Sequence, residues 1–100
     1  MILALSRFTI ASDDMITPMR EAFVQRPHRA DQAAGFIRME IVSPADTPRE
    51  FWLLTWWNTA ADCETWHHSH AFHDSHAGMP KGLKLVPKST EIRVFDLIAK

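Results

Sequence analysis

The sequence predicts one α+β domain with a four-stranded antiparallel sheet, its elements in the order β-α-β-β-α-β. Three observations predict it. Two-residue alternation marks segments near residues 2–10, 37–41 and 90–98, and a continuous apolar run lies at 51–57. Helical spacing of apolar residues and capping signals fall in the two long intervals between them. The chain has 100 residues, which allows one domain covering 1–100 and no more.

In Ile2–Ile10, the residues Ile2, Ala4, Ser6, Phe8 and Ile10 share one face, and Leu3 and Leu5 lie on the other. This is β1, with both faces largely buried. Ser12-Asp13-Asp14 is a turn. Thr17-Pro18 reads as an N-cap followed by a first-turn proline, and Met19, Phe23 and Val24 form the apolar face of α1. Pro27 should break that helix near Gln25 or Arg26. A second helical stretch runs on to Gln32, and Gly35 ends the region.

Ile37, Met39 and Ile41 alternate with Arg38 and Glu40, giving a β2 with one wet face. The loop 43–48 leads to β3, Phe51–Trp57, which is apolar on both faces. A small monomer normally leaves one sheet face to solvent, so a two-sided apolar strand predicts a second subunit over it. A domain of this size buries only about two thirds of its unfolded surface, and oligomerisation is a common remedy.

Thr59 with Asp62 reads as a capping box opening α2, which continues through Cys63 and Trp66. Ser69 can cap a further short helix over His70–Ala77, stopped by Gly78 and Pro80. Thr90–Ile98 is β4. This order is the ferredoxin-like arrangement.

Composition excludes several function classes. Net charge is −1 with histidine neutral, which leaves no electrostatic footprint for nucleic acid and no polybasic membrane anchor. No apolar run approaches the roughly 20 residues of a membrane span. The apolar start of the chain lacks a basic n-region and reads as a strand, not a signal peptide. The single cysteine, Cys63, rules out an intramolecular disulfide and suits a reducing, cytoplasmic setting.

Chemistry concentrates between Trp66 and His76. Five of the six histidines lie there, and His70, His73 and His76 are spaced by three, so neighbours in the series lie close on a helix. Three readings stay open on spacing alone. The histidines form an exposed polar face, or they pair to hold a zinc or copper ion, or one of them ligates haem iron among aromatic walls. Trp66, Trp52, Trp56 and Trp57 read as core or interface anchors. Cys63 reads as a buried small hydrophobe, and His28, beside Pro27, as a surface-loop histidine.

Leu54-Thr55-Trp56-Trp57, followed by Trp66, Phe72 and His76, resembles the antibiotic-biosynthesis-monooxygenase (ABM) superfamily, and within it the IsdG-type haem-degrading monooxygenases. Ala22-Phe23, Arg26, His28, Gly35-Phe36 and Pro44 also resemble the mycobacterial haem-degrading branch. The resemblance spans nearly the whole chain. It implies a homodimer whose two sheets pack into an α+β barrel, with one haem per subunit between helices and sheet.

By position it makes His76 the proximal iron ligand, with Asp74 or a backbone carbonyl orienting the ring, and Trp66 the residue that presses on the porphyrin. Ser6 falls where the family has an asparagine that hydrogen-bonds on the oxygen side, and its hydroxyl reaches less far than an amide. Phe23 and Phe72 are implied wall residues. Arg26, with Lys81 and Lys84, is a candidate for the haem carboxylates.

The implied activity is oxidative opening of haem, which is both substrate and cofactor, with O2 and an external reductant or reductase, releasing iron. Two alternatives remain: a cofactor-independent ABM monooxygenase acting on an aromatic or quinol-like molecule, and a non-catalytic haem-binding protein. His70 or His73 could take the ligand role of His76.

Overall fold

A computed structural model describes residues 1–69 and 79–100. The strands are β1 (Ile2–Thr9), β2 (Phe36–Val42), β3 (Glu50–Trp57) and β4 (Glu91–Asp96), and the helices α1 (Ile16–Val24) and α2 (Ala60–His67). The sheet runs β2-β3-β1-β4 with every neighbouring pair antiparallel. This is the ferredoxin-like α+β order that the sequence predicts. The predicted short helix at 70–77 lies outside the described residues.

Local chemistry explains most boundaries. A 3-10 turn at Asp13–Met15 feeds α1, so that helix starts one residue before the predicted Thr17 cap, with Met15 as N-cap. It ends at Val24, where Pro27 downstream forbids continuation. The second helical stretch shrinks to a 3-10 turn, Ala30–Gln32. Thr59 caps α2 by accepting a hydrogen bond from the Asp62 amide at 3.1 Å.

β2 departs from simple alternation. Its register against β3 shifts between Phe36 and Arg38, a bulge at Ile37. Phe36 therefore shares the inner face with Met39 and Ile41, while Ile37, expected on that face, is exposed. Gly35 just before it has φ +79°. A Cβ there would sit 2.6 Å from Cβ of Asp62, so only glycine lets the α2 start close onto the sheet.

Both helices cover one face. Under α2, Ile2, Ala4, Ala30, Trp57, Cys63 and Trp66 form one apolar cluster. Under α1, Phe8, Ile10, Met19 and Phe51 form a second. Trp57 is fully buried, edge-on to Phe36 at 5.6 Å and stacked on Trp66 at 6.3 Å. Its indole N–H donates to Thr55 Oγ1 at 2.9 Å, which satisfies the polar edge.

The opposite face carries no helix among the described residues. Leu3, Leu5, Trp52, Leu54, Trp56 and Phe95 stand there half-buried. Arginine side chains lie across the rings: Arg38 over Trp56 at 4.2 Å, Arg93 over Phe95 at 5.2 Å and Arg7 over Trp52 at 5.7 Å.

Candidate functional site

Between the two clusters the inner face of β1 carries Ala4 and Ser6, two small side chains in succession. Their cross-strand neighbours are Thr55 and Leu53 on β3 and Val94 and Ile92 on β4. Small residues there leave space that the helices do not fill. A cavity of about 310 Å³ results, floored by Ser6, Leu53 and Thr55 and walled by Met19, Phe23 and Trp66. The run from Gln25 to Arg29 after α1, exposed except at Arg26, forms its rim.

Four predicted site residues thus converge. Ser6, Phe23, Arg26 and Trp66 all line this cavity. Phe72 and His76 lie outside the described residues, as do His70, His73 and Asp74. Lys81 and Lys84 do not line the cavity. Among the described residues no group of three or more His, Cys, Asp or Glu is placed to hold a metal ion. No described helix is long and apolar enough to cross a membrane.

The rim has a structure that sequence reasoning missed. Asp31 accepts from Arg26 Nη1 at 3.1 Å through one carboxylate oxygen and lies 3.1 Å from His28 Nδ1 through the other. Burial pushes the Asp31 carboxyl up, but the hydrogen bonds from Arg26 and His28 outweigh it, and the net shift is downward. His28 has φ +56°, a left-handed conformation unusual outside glycine. It is exposed, as a surface-loop histidine should be, yet it also lines the cavity. The only sequence signal was its place beside Pro27.

On α2, Cys63 is buried, as expected, and its Sγ lies 3.4 Å from His67 Nδ1. Burial and the nearby Glu64 carboxylate raise the thiol's pKa, so the thiolate nucleophile is disfavoured. His67, which lines the cavity, donates from Nδ1 to the Cys63 carbonyl at 2.9 Å. Desolvation lowers its pKa below 6.5 despite that bond, and the neighbouring His68 adds to the lowering.

A depressed pKa in the folded state has a definite consequence. The folded protein prefers neutral His67, so its stability is fully present above about pH 6.5 and is lost as pH falls through the folded value. The urea midpoint of the wild type should therefore drop between about pH 8 and about pH 5 by more than that of His67→Gln. Parallel pH profiles for the two proteins would contradict the burial of this imidazole.

The model of the family described as "Antibiotic biosynthesis monooxygenase" matches residues 1–78. A sequence search of curated proteins finds no match. Solved structures share the fold across almost the whole chain. A putative antibiotic biosynthesis monooxygenase from Bordetella bronchiseptica superposes with TM-score 0.79 at 10% identity, covering 98% of this chain and 97% of the other. SnoaB, a cofactor-independent oxygenase from Streptomyces nogalater, gives 0.75 at 13% identity over 99% and 94%. The heme-degrader MhuD from Mycobacterium tuberculosis, solved with two hemes bound in its active site, gives 0.79 at 14% identity over 100% and 98%. The family match covers most of the chain, including β1, both helices and most of the residues that line the cavity, and on that ground the protein belongs to the antibiotic biosynthesis monooxygenase family.

Proposed function

We propose that this monooxygenase-family protein binds haem through His76 and oxidatively opens the porphyrin, releasing iron. The observation that carries the reading is the convergence of Ser6, Phe23, Arg26 and Trp66 on one apolar cavity with a cationic rim. Such a site suits a flat apolar ring bearing carboxylates. The Ser6 hydroxyl has no hydrogen-bond partner among the described residues and is available to donate into the cavity. Trp66 is backed by Trp57, so a ring pressed against it meets a stiff wall.

Haem supplies the oxidisable meso carbon and the iron that engages O2, and an external reductant supplies the electrons. The protein's part is to orient the ring, keep out bulk water and offer one hydroxyl hydrogen bond. The reading includes a homodimer joined through the uncovered sheet face and a reducing cytoplasmic setting in which Cys63 stays a thiol.

Titration with hemin should give a Soret band saturating at one haem per chain, and His76→Ala should abolish it. Unchanged binding by His76→Ala would overturn the ligand assignment. With ascorbate, O2 and catalase the band should decay. A stable band would leave a haem-binding protein without turnover.

The cavity itself favours a second reading. At about 310 Å³ it stands at the lower end of the range for small-molecule sites. That size suits a single aromatic or quinol-like molecule oxidised without a cofactor. Wild type that binds no hemin would favour this alternative.

A further inference from the structure

We propose that His28 and Asp31 form a proton-accepting dyad at the cavity rim that ionises the hydroxyl of a bound phenol or enol. The inference goes beyond the haem reading and needs no iron. Asp31 Oδ2 lies 3.1 Å from His28 Nδ1, and a carboxylate can only accept there, so Nδ1 carries the hydrogen. That fixes the tautomer and leaves Nε2 as the basic nitrogen. Nε2 has no hydrogen-bond partner among the described residues, and His28 is one of the residues that line the cavity.

The backbone supports the same assignment. A non-glycine residue at φ +56° costs stability and persists where surrounding contacts hold it. Here the Asp31 carboxylate is such a contact, and it also anchors Arg26, whose side chain is largely buried. One carboxylate therefore orients a base and a cation at the same rim. Among the described residues the other ionisable groups lining the cavity are Arg29 beside them and His67 on α2.

The step is a simple proton transfer. The substrate O–H bond breaks, an Nε2–H bond forms, and the electron pair stays on the substrate oxygen. The resulting imidazolium faces the Asp31 carboxylate, and the phenolate faces the Arg26 guanidinium, so neither charge is left isolated. The apolar walls, Phe23, Met19 and Trp66, accept the aromatic body. Within the hydroxyl-bearing class, the more acidic phenols and enols are the ones that an imidazole can ionise near neutral pH.

The test uses para-nitrophenol, whose phenolate absorbs visible light while its neutral form does not. Binding is followed separately by quenching of tryptophan fluorescence. Below the probe's own pKa, the phenolate-to-phenol ratio of the bound probe should exceed that of the free probe by about tenfold, one pKa unit. His28→Asn removes the imidazole while keeping a side chain that tolerates positive φ, so the loop should hold its shape. That variant should bind the probe with its ratio near the free value. Asp31→Asn should give an intermediate ratio, because the ring keeps its place but loses its charged partner. A wild-type protein that leaves the bound probe's ratio unchanged or does not bind the probe overturns the proposal, as does a ratio retained in His28→Asn. Hemin titration of wild type, run beside it, fails or succeeds independently and reports on the haem reading alone.

Discussion

Trp57→Ala is expected to destabilise the protein by about 3–5 kcal/mol, the range for losing a large aromatic from a packed core. Trp57 is fully buried, touches Phe36 and Trp66 through its ring, and bonds Thr55 through its indole nitrogen. Removing it leaves a void between sheet and α2 and strips the backing from Trp66. A domain of this size holds a total stability of about 5–15 kcal/mol, so the variant should retain only a fraction of it. Trp57→Phe keeps most of the ring and should cost less. Urea unfolding followed by far-UV circular dichroism measures both. A loss of only about 0.5 kcal/mol for the alanine variant, the size of an ordinary surface change, would contradict the packing described. The substitution also reads on the site. Trp66 lines the cavity, so a loosened Trp66 should weaken hemin or aromatic ligand binding more steeply than Phe23 truncation at the opposite wall does.

The strands were legible because alternation is a direct image of the pleat: Ile2, Ala4, Phe8 and Ile10 are all buried on one face, as their spacing requires. The β3 run was legible for a different reason, its unbroken apolar character, which matches Phe51, Thr55 and Trp57 inward and Trp52, Leu54 and Trp56 outward. Alternation failed at Ile37, because a bulge changes the parity of a strand without any fixed residue signature. The rim failed differently. Whether His28 meets Asp31 depends on a left-handed backbone at a non-glycine residue and on the 3-10 turn that carries Asp31. Neither follows from apolar spacing, and a pair three residues apart outside a helix has no default geometry. Ser6 was singled out through a family resemblance. Its physical meaning, a small residue opening a cavity between two apolar clusters, needed the packing of α1 and α2.

Leu54→Arg is expected to convert the proposed dimer into a folded monomer, the second large effect. Leu54 lies on central strand β3, on the face that no described helix covers, opposite Leu5 on β1 and Glu40 on β2. In a single subunit the new guanidinium can reach water and pair with Glu40 across the strands, so the fold should tolerate it. Between two packed sheets the same change would bury one unpaired charge from each subunit, which costs several kcal/mol per ion. The asymmetry separates an effect on association from an effect on folding. The arginines over Trp52, Trp56 and Phe95 fit this account, since guanidinium planes stacked on rings keep a partly apolar face soluble before a partner covers it. Light scattering at micromolar concentration should give twice the 11.5 kDa chain mass for wild type and the chain mass itself for the variant, with the far-UV spectrum unchanged. A monomeric wild type would refute the shared sheet interface, and a dimeric variant would move the interface elsewhere. The cavity lies on the other side of the sheet from Leu54, so hemin affinity then becomes informative in its own right. Affinity that falls with dissociation would mean that the sheet's curvature, set by the partner, shapes the floor at Ser6 and Leu53.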